Sequence, residues 1–453
     1  DQWLDMARSR NIGQFRSAFG ECGTVLWVNT IYADDRGNAL YLDASAVPNL
    51  SREALAALAA DPFRGTIAQS GLTVLDGSSS RDDWVEGSCQ GRVPFAQSPQ
   101  LQRSDFVQNS NDSYWATNPQ APLSGFSPLF GPTGTQLSDR TRMGLTMLTQ
   151  PTNPGLSTVP PAGADGKFNA RDIMNALYSN RAYLAETLLD DLLARCASIG
   201  SLPVSLGDGG SRSVAAGCSA LQAWNGVYDL DSRGAHTFRL FAEQYQQLLP
   251  GDYSIAFDPT DPINTPRQPR PAAADPAVDP MLQALARALS VLDSVGIRYD
   301  EALRNVQRVQ LSAGVPPGGT PQPVGSPIPW HGPNGRPEGG FNVVSVYAGN
   351  VDEDTRFPRV APTETLGSTG LSAAPGEGWW IGYGTSWHFG LQFNDDGPEA
   401  YGLLSYSQST DDRSPHFRDQ HEMYSAKEYR KLLFRDAEIE ASLLSAPITI
   451  TSN

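Results

Sequence analysis

Lysine is almost missing from this chain. Only Lys167, Lys427 and Lys431 are present, so nearly all of the 33 basic residues are arginine, against 49 acidic residues and a net charge of −16. That balance argues against nucleic acid or an anionic membrane surface as partner, because both reward basic patches. No apolar run approaches the ~18 residues that a membrane span requires. No C-x-x-C pair points to zinc or to thioredoxin-type redox work. A G-x-S-x-G elbow, S-x-x-K, a P-loop and a strand-to-helix G-x-G-x-x-G are also missing. The chain opens Asp1-Gln2-Trp3, with neither an initiator Met nor a signal peptide. The expectation is a precursor cut upstream or a start lying outside this sequence.

What is present fits a folded protein. With 453 residues, 40% of them hydrophobic and 9% aromatic, the chain can bury a large core and divide into roughly two or three domains. Among its five histidines, His416 and His421 stand near Asp419 without the i,i+4 spacing of a zinc helix. The acid-rich turn DGKFNARD (165–172) matches no EF-hand. No metal or other cofactor is therefore expected, a structural Ca²⁺ being the weaker alternative. Cys196 and Cys218 flank a Gly/Ser-rich loop. A disulfide closing it would stabilise by roughly 3 kcal/mol in the chain-entropy model and implies an oxidising compartment. Pairing of Cys22 with Cys89 is left open.

Asn11, followed by Ile12, Phe15 and Phe19, reads as a capped helix, and Ser51 opens another. Residues 61–168 are rich in Gly, Pro, Ser, Asn and Asp and predict an irregular wrapping region. Helical spacing returns at about 169–197, 234–249 and 280–294, with a proline-rich strap over 250–281. After a second Pro/Gly segment at 314–339 the period becomes strand-like in GWWIGYG, SWHFGLQF and YGLLSYS, the last two joined by a turn at Asn394–Gly397. A capping box from Ser425 to Glu428 predicts a late helix. Strands, then helices, then strands indicate an α+β fold whose C-terminal strands return to the sheet begun by the N-terminal hairpin. The predicted regions are 1–60, 61–168, 169–320 and 321–453.

Within TVLWVNTIYADDRGNALYLD (24–43), which reads as a strand-turn-strand, Asn29 stands among apolar and β-branched residues. An amide on a buried strand costs about 1–3 kcal/mol unless its hydrogen bonds are met. The stretch FVQNSNDSYW (106–115) is also unusual. It reads either as an Asx-turn cluster satisfying an irregular backbone or as a polar wall beside a site, with aromatic faces for an apolar ligand.

Taken in order, these segments resemble the C-terminal two-thirds or more of the β chain of penicillin-acylase-type N-terminal-nucleophile (Ntn) hydrolases, in the branch of aculeacin A acylases and acyl-homoserine-lactone acylases. WVNTIYADDRGNALYLD is similar to the family's strand-turn-strand, and FVQNSNDSYWATNPQAPLSGF to its Asn-rich loop. DRTRMGL resembles the helix start that follows, and YDLDSRGAHTF, IPWHGPNGRPEGGFNVVS, GYGTSWHFGLQF and LSYSQSTDDRSPHFRDQHEMYS resemble later segments in the same order.

The resemblance implies an αββα sandwich core with an inserted helical and irregular region. It also implies a bacterial, secreted or periplasmic heterodimer cut from one precursor. The companion α chain and an N-terminal stretch of the β chain would be its partners. The nucleophilic serine would lie in that stretch and not among these residues, since Asp1 offers no hydroxyl or thiol. Asn29 is the one catalytic residue the resemblance places here, donating its side-chain N–H to the oxyanion. Trp27, Tyr114 and Trp115 are candidates for the wall of an acyl pocket. The implied reaction releases a fatty acid from an N-acylated substrate, either a cyclic lipopeptide or an acyl-homoserine lactone. A β-lactam acylase is disfavoured, because Pro48-Asn49-Leu50 stands where penicillin G acylases carry Pro-Asp-Arg. A processed fragment acting only as a binding module is the alternative from another class.

Overall fold

The computed structural model describes residues 1–23, 28–68, 72–149, 163, 165–248, 253–312, 322–346, 364–446 and 448. The chain forms two compact units, Asp1–Leu137 with Phe257–Thr265, and Ser138–Ala256 with Pro266–Asn453. Residues 61–137 belong to the same unit as 1–60.

In the first unit the Asn11 side chain accepts the Gln14 N–H and starts the helix Ile12–Ser17. That helix packs on a three-stranded antiparallel sheet, β1 (Asn29–Ala33), β2 (Ala39–Asp43) and β3 (Gln100–Arg103), in the order β1-β2-β3. Asp34 makes the β1–β2 turn. Its carboxylate accepts the Arg36 and Asn38 backbone N–H groups, the Asn38 amide and the Tyr32 hydroxyl. Gly37 there adopts φ +77°, which a side chain would resist. β2 is central, hydrogen-bonded along both edges, and buried from Leu40 to Asp43. Leu40, Leu42 and Ala44 join Phe15 and Phe19 in one core, while Tyr41 and Asp43 point to the opposite face.

β3 had no sequence signal, because QLQR is short and polar. Among the described residues it completes the hairpin's sheet, and no C-terminal strand joins β1 or β2.

The second unit is built on the helices Tyr183–Ile199, Ala235–Leu248 and Pro280–Ser294, whose Leu188, Leu192, Phe238, Phe241, Leu285 and Leu289 share one core. Asp279 caps the last of these through the Met281 and Leu282 N–H groups and pairs with buried Arg195 at 3.1 Å. The predicted helix 169–197 is two helices, Ala170–Tyr178 and Tyr183–Ile199. Asn180 interrupts them at φ +52° while its amide bonds Asp229. Asn169 and Asp172 form a capping box, so the acid-rich turn around them starts a helix.

The C-terminal hairpin, Trp387–Asn394 with Gly397–Leu404, turns where expected. The helix Ala170–Tyr178 covers one face of it. Ala170 N–H reaches Gln392 Oε1, and a Cβ at Gly390 would lie 2.3 Å from the Ala170 carbonyl. The other face exposes Trp387, Phe389, Leu391 and Phe393. The predicted late helix from Ser425 is not formed. Ser425 ends the helix Asp419–Ser425 and donates to the Pro329 carbonyl, and Lys427 turns the chain at φ +58° into the strand Arg430–Leu432.

Both cysteine pairs are disulfides. Cys196–Cys218 has a sequence separation of 22 and Cys22–Cys89 one of 67. Replacing Cys196 and Cys218 together by serine is expected to lower unfolding stability by roughly 3 kcal/mol, read as a shift in the urea midpoint under non-reducing conditions. An unchanged midpoint would show that the crosslink does not constrain the unfolded chain.

Candidate active site

The five-residue strand β1 pairs only with β2 among the described residues, and its alternate residues are exposed. Asn29 is therefore exposed, not buried as the apolar stretch around it predicts. Val25, Leu26 and Trp27 of that apolar stretch lie outside the described residues.

The register places Asn29 opposite Asp43 and Ile31 opposite Tyr41. Directly paired residues and their i±2 neighbours share a face, so Asn29, Tyr41 and Asp43 point the same way. The Tyr41 hydroxyl donates to Asn29 Oδ1 at 2.5 Å. Burial first, then the Asp43 charge, lift Tyr41 far above an ordinary phenol against an opposing Thr117 hydrogen bond. Tyr41 thus keeps its proton and remains a donor. The acceptor end of the Asn29 amide is held, and its Nδ2 end has no partner among the described residues.

An open cleft of about 540 Å³ lies against this face, within the size range of small-molecule sites. Asn29, Asp43 and Ser45 line it together with Asn111–Tyr114 and Leu129–Pro132. The structure thus brings together the two stretches singled out in the sequence. Asn109 holds the loop in an Asx turn, accepting the Asn111 N–H at 2.8 Å and donating to the Asp112 carbonyl at 3.0 Å. Asn111 adopts φ +74°. A side chain on Gly131 would lie 2.7 Å from Ser113 Oγ, so glycine lets the two loops meet. The loop is thus held by its own Asx turn and also lines the cleft. Tyr114 lines the cleft, its ring edge-on to Phe126 at 5.6 Å. Trp115 is buried and does not line it, because adjacent residues of the short helical turn Tyr114–Ala116 point in different directions.

Tyr41, Asp43 and Ser45 were missed by the sequence reading. The signal was available. The hairpin register fixes which β2 residues face Asn29, and the period of two then selects Tyr41 and Asp43. Asp43 is 8% exposed. Its Oδ1 accepts both the Ser45 hydroxyl at 2.5 Å and the Ser45 N–H at 3.2 Å. Burial raises its carboxyl above the ordinary carboxylate range, with the Ser45 bonds opposing.

A larger hollow of about 760 Å³ in the second unit is lined by Asp293, Arg298, Tyr299 and Asp300. Its charges are spent on one another, Arg298 on Asp300 at 2.8 Å and Tyr299 on Asp293 at 2.6 Å. Among the described residues no group of His, Cys, Asp or Glu is arranged to hold a metal ion, and no helix is long and apolar enough to cross a membrane. His416 instead pairs with Asp419 at 2.8 Å.

Residues 1–441 match the penicillin amidase family. The chain belongs to that family. It is 33% identical over 445 residues to the acyl-homoserine lactone acylase PvdQ of Pseudomonas savastanoi pv. phaseolicola, covering 97% of this chain and 49% of that one. It is also 33% identical over 449 residues to the aculeacin-A acylase of Actinoplanes utahensis, covering 97% and 50%. A thermostable penicillin G acylase from Alcaligenes faecalis shares the fold at a TM-score of 0.51 and 16% identity, covering all of this chain and 72% of that one. The chain spans about half the length of the curated relatives it matches. As a member of the penicillin amidase family it carries mixed helix and sheet, with Asn29 on the strand at the cleft.

Proposed function

We propose that this chain is the larger part of the β chain of an Ntn acylase that releases the fatty acyl group of an N-acylated substrate. One observation carries the reading. Tyr41 holds the oxygen of the Asn29 amide, leaving its N–H₂ end available to a cleft, in a member of a family whose matched relatives are named as acylases. In this reading an N-terminal serine outside residues 1–453 attacks the substrate carbonyl carbon, with its own amine taking the proton. Asn29 Nδ2 donates to the oxyanion, the amine leaves with the proton, and water releases the carboxylic acid from the acyl-enzyme.

The finer features of the reading also have support. The hairpin Trp387–Leu404, helix-covered on one face and apolar on the other, fits one half of an αββα sandwich whose second sheet would cover Trp387, Phe389, Leu391 and Phe393. Two disulfides fit a secreted or periplasmic bacterial protein. A companion α chain and the N-terminal part of the β chain complete the enzyme. The relatives' names favour acyl-homoserine lactones or cyclic lipopeptides as substrates.

The complete protein, as its host makes it, is incubated with an N-acyl-homoserine lactone, an N-acyl cyclic lipopeptide and penicillin G. Released carboxylic acid is then quantified. Fatty acid from either of the first two is the expected result. No acid from any of them would overturn the reading.

A further inference from the structure

Resting on the acylase reading, we infer that Asp43 is a specificity-determining residue. Its Oδ2 accepts a hydrogen bond from a second N–H or ammonium group, other than the scissile amide's own N–H, that the substrate carries next to the scissile bond.

The geometry is that of a half-used carboxylate. Both Ser45 bonds fall on Oδ1. Oδ2 has no partner among the described residues, on a side chain only 8% exposed that lines the cleft. That oxygen faces the cleft, so an occupant that takes water from it must supply a donor or leave it unpaired at a cost. The donor it lacks can come from whatever occupies the cleft. Asn29 stands directly across the ladder from Asp43, so the carbonyl's donor and this acceptor are neighbours on one face. Asn29 Nδ2 takes an oxygen, while Asp43 Oδ2 takes a hydrogen on the adjoining part of the same molecule.

A site built around such an acceptor rejects analogues that lack the donor, because the acceptor is then desolvated and unpaired. The class preferred is therefore an acylated peptide or amino acid with an amide N–H or an ammonium group next to the scissile bond. An acylated lactone ring, which ends in an ester on that side, offers no such group beyond the scissile amide itself.

The test compares kcat/KM of the complete protein on N-acyl-ornithine amide and on an N-acyl-homoserine lactone of equal chain length. The wild type is set beside Asp43→Asn and Asp43→Glu. Asparagine keeps an oxygen for both Ser45 bonds and turns the Oδ2 position from acceptor into donor. Asp43→Asn is expected to lower kcat/KM for the ornithine amide about 10- to 100-fold and to leave the lactone within about threefold. Asp43→Glu should restore part of the preference, and unfolding midpoints of all three confirm the fold. Equal losses on both substrates, or none on either, would overturn the proposal, since a merely structural Asp43 cannot change a ratio. Failure of the acylase reading looks different, because the wild type would then hydrolyse neither substrate.

Discussion

Asn29→Ala is expected to lower kcat for acyl-amide hydrolysis about 10²- to 10³-fold, with KM changed little and the unfolding midpoint preserved. The split follows from where the charge appears. A ground-state carbonyl needs the Asn29 donor weakly, whereas the tetrahedral oxyanion needs it fully, so the loss falls on the transition state. The fold should tolerate the change, since Asn29 is exposed on β1 and its one described side-chain bond is to Tyr41. Removing the Tyr41 hydroxyl alone, as Tyr41→Phe, keeps the donor but frees the amide to rotate. A smaller loss, about tenfold and again mainly in kcat, is expected. Steady-state kinetics on both variants decide the matter. A loss confined to KM would place Asn29 in substrate binding, and an unchanged rate would remove it from the reaction.

The second large effect is acid lability. His236, His388 and His421 are held neutral down to about pH 4 and His331 to about pH 3, burial being the first cause in each case. In the unfolded chain each returns to about 6.5. The unfolded state therefore binds more protons than the folded state between these values. The histidine contribution is fully present above about pH 6.5 and is lost progressively as the pH falls towards 4. Four protons taken up together correspond to a slope of about 5 kcal/mol per pH unit near pH 5. Asp43 works in the opposite direction, since its raised carboxyl favours the folded state on protonation, but it is one group against four. Urea unfolding of the second unit's signal in half-unit steps from pH 7 to pH 4.5 measures the slope. A value of one proton or less would contradict the neutral, buried placement.

The parts of the fold legible in the sequence are those with a local cause. Asn11 capping a helix, the helical spacing over 280–294 and the Asn394–Gly397 turn each depend on residues within a few positions, and each is found where expected. The helix predicted from Ser425 failed because its capping box competes with a tertiary bond, Ser425 to the Pro329 carbonyl. The unbroken helix across 169–197 failed for a similar reason. Asn180 is pulled into a buried network with Asp229, His331 and Asn342, which come from distant parts of the chain.

The site shows the same division. Asn29 and the Asn109–Tyr114 loop could be noticed as local oddities, and Asn29's role came from resemblance. That the two share a cleft is tertiary information. Tyr41 and Asp43 look like ordinary strand residues until the register with β1 is known.

An alkylboronic acid offers the most direct test of Asn29 as oxyanion donor, because the tetrahedral boronate on a nucleophilic serine imitates the intermediate. The structure of the complete protein with that adduct should place Asn29 Nδ2 about 2.7–3.1 Å from a boronate oxygen, with Tyr41 still on Oδ1. A boronate bound elsewhere, or an Asn29 amide turned away from it, would contradict the role assigned to this strand.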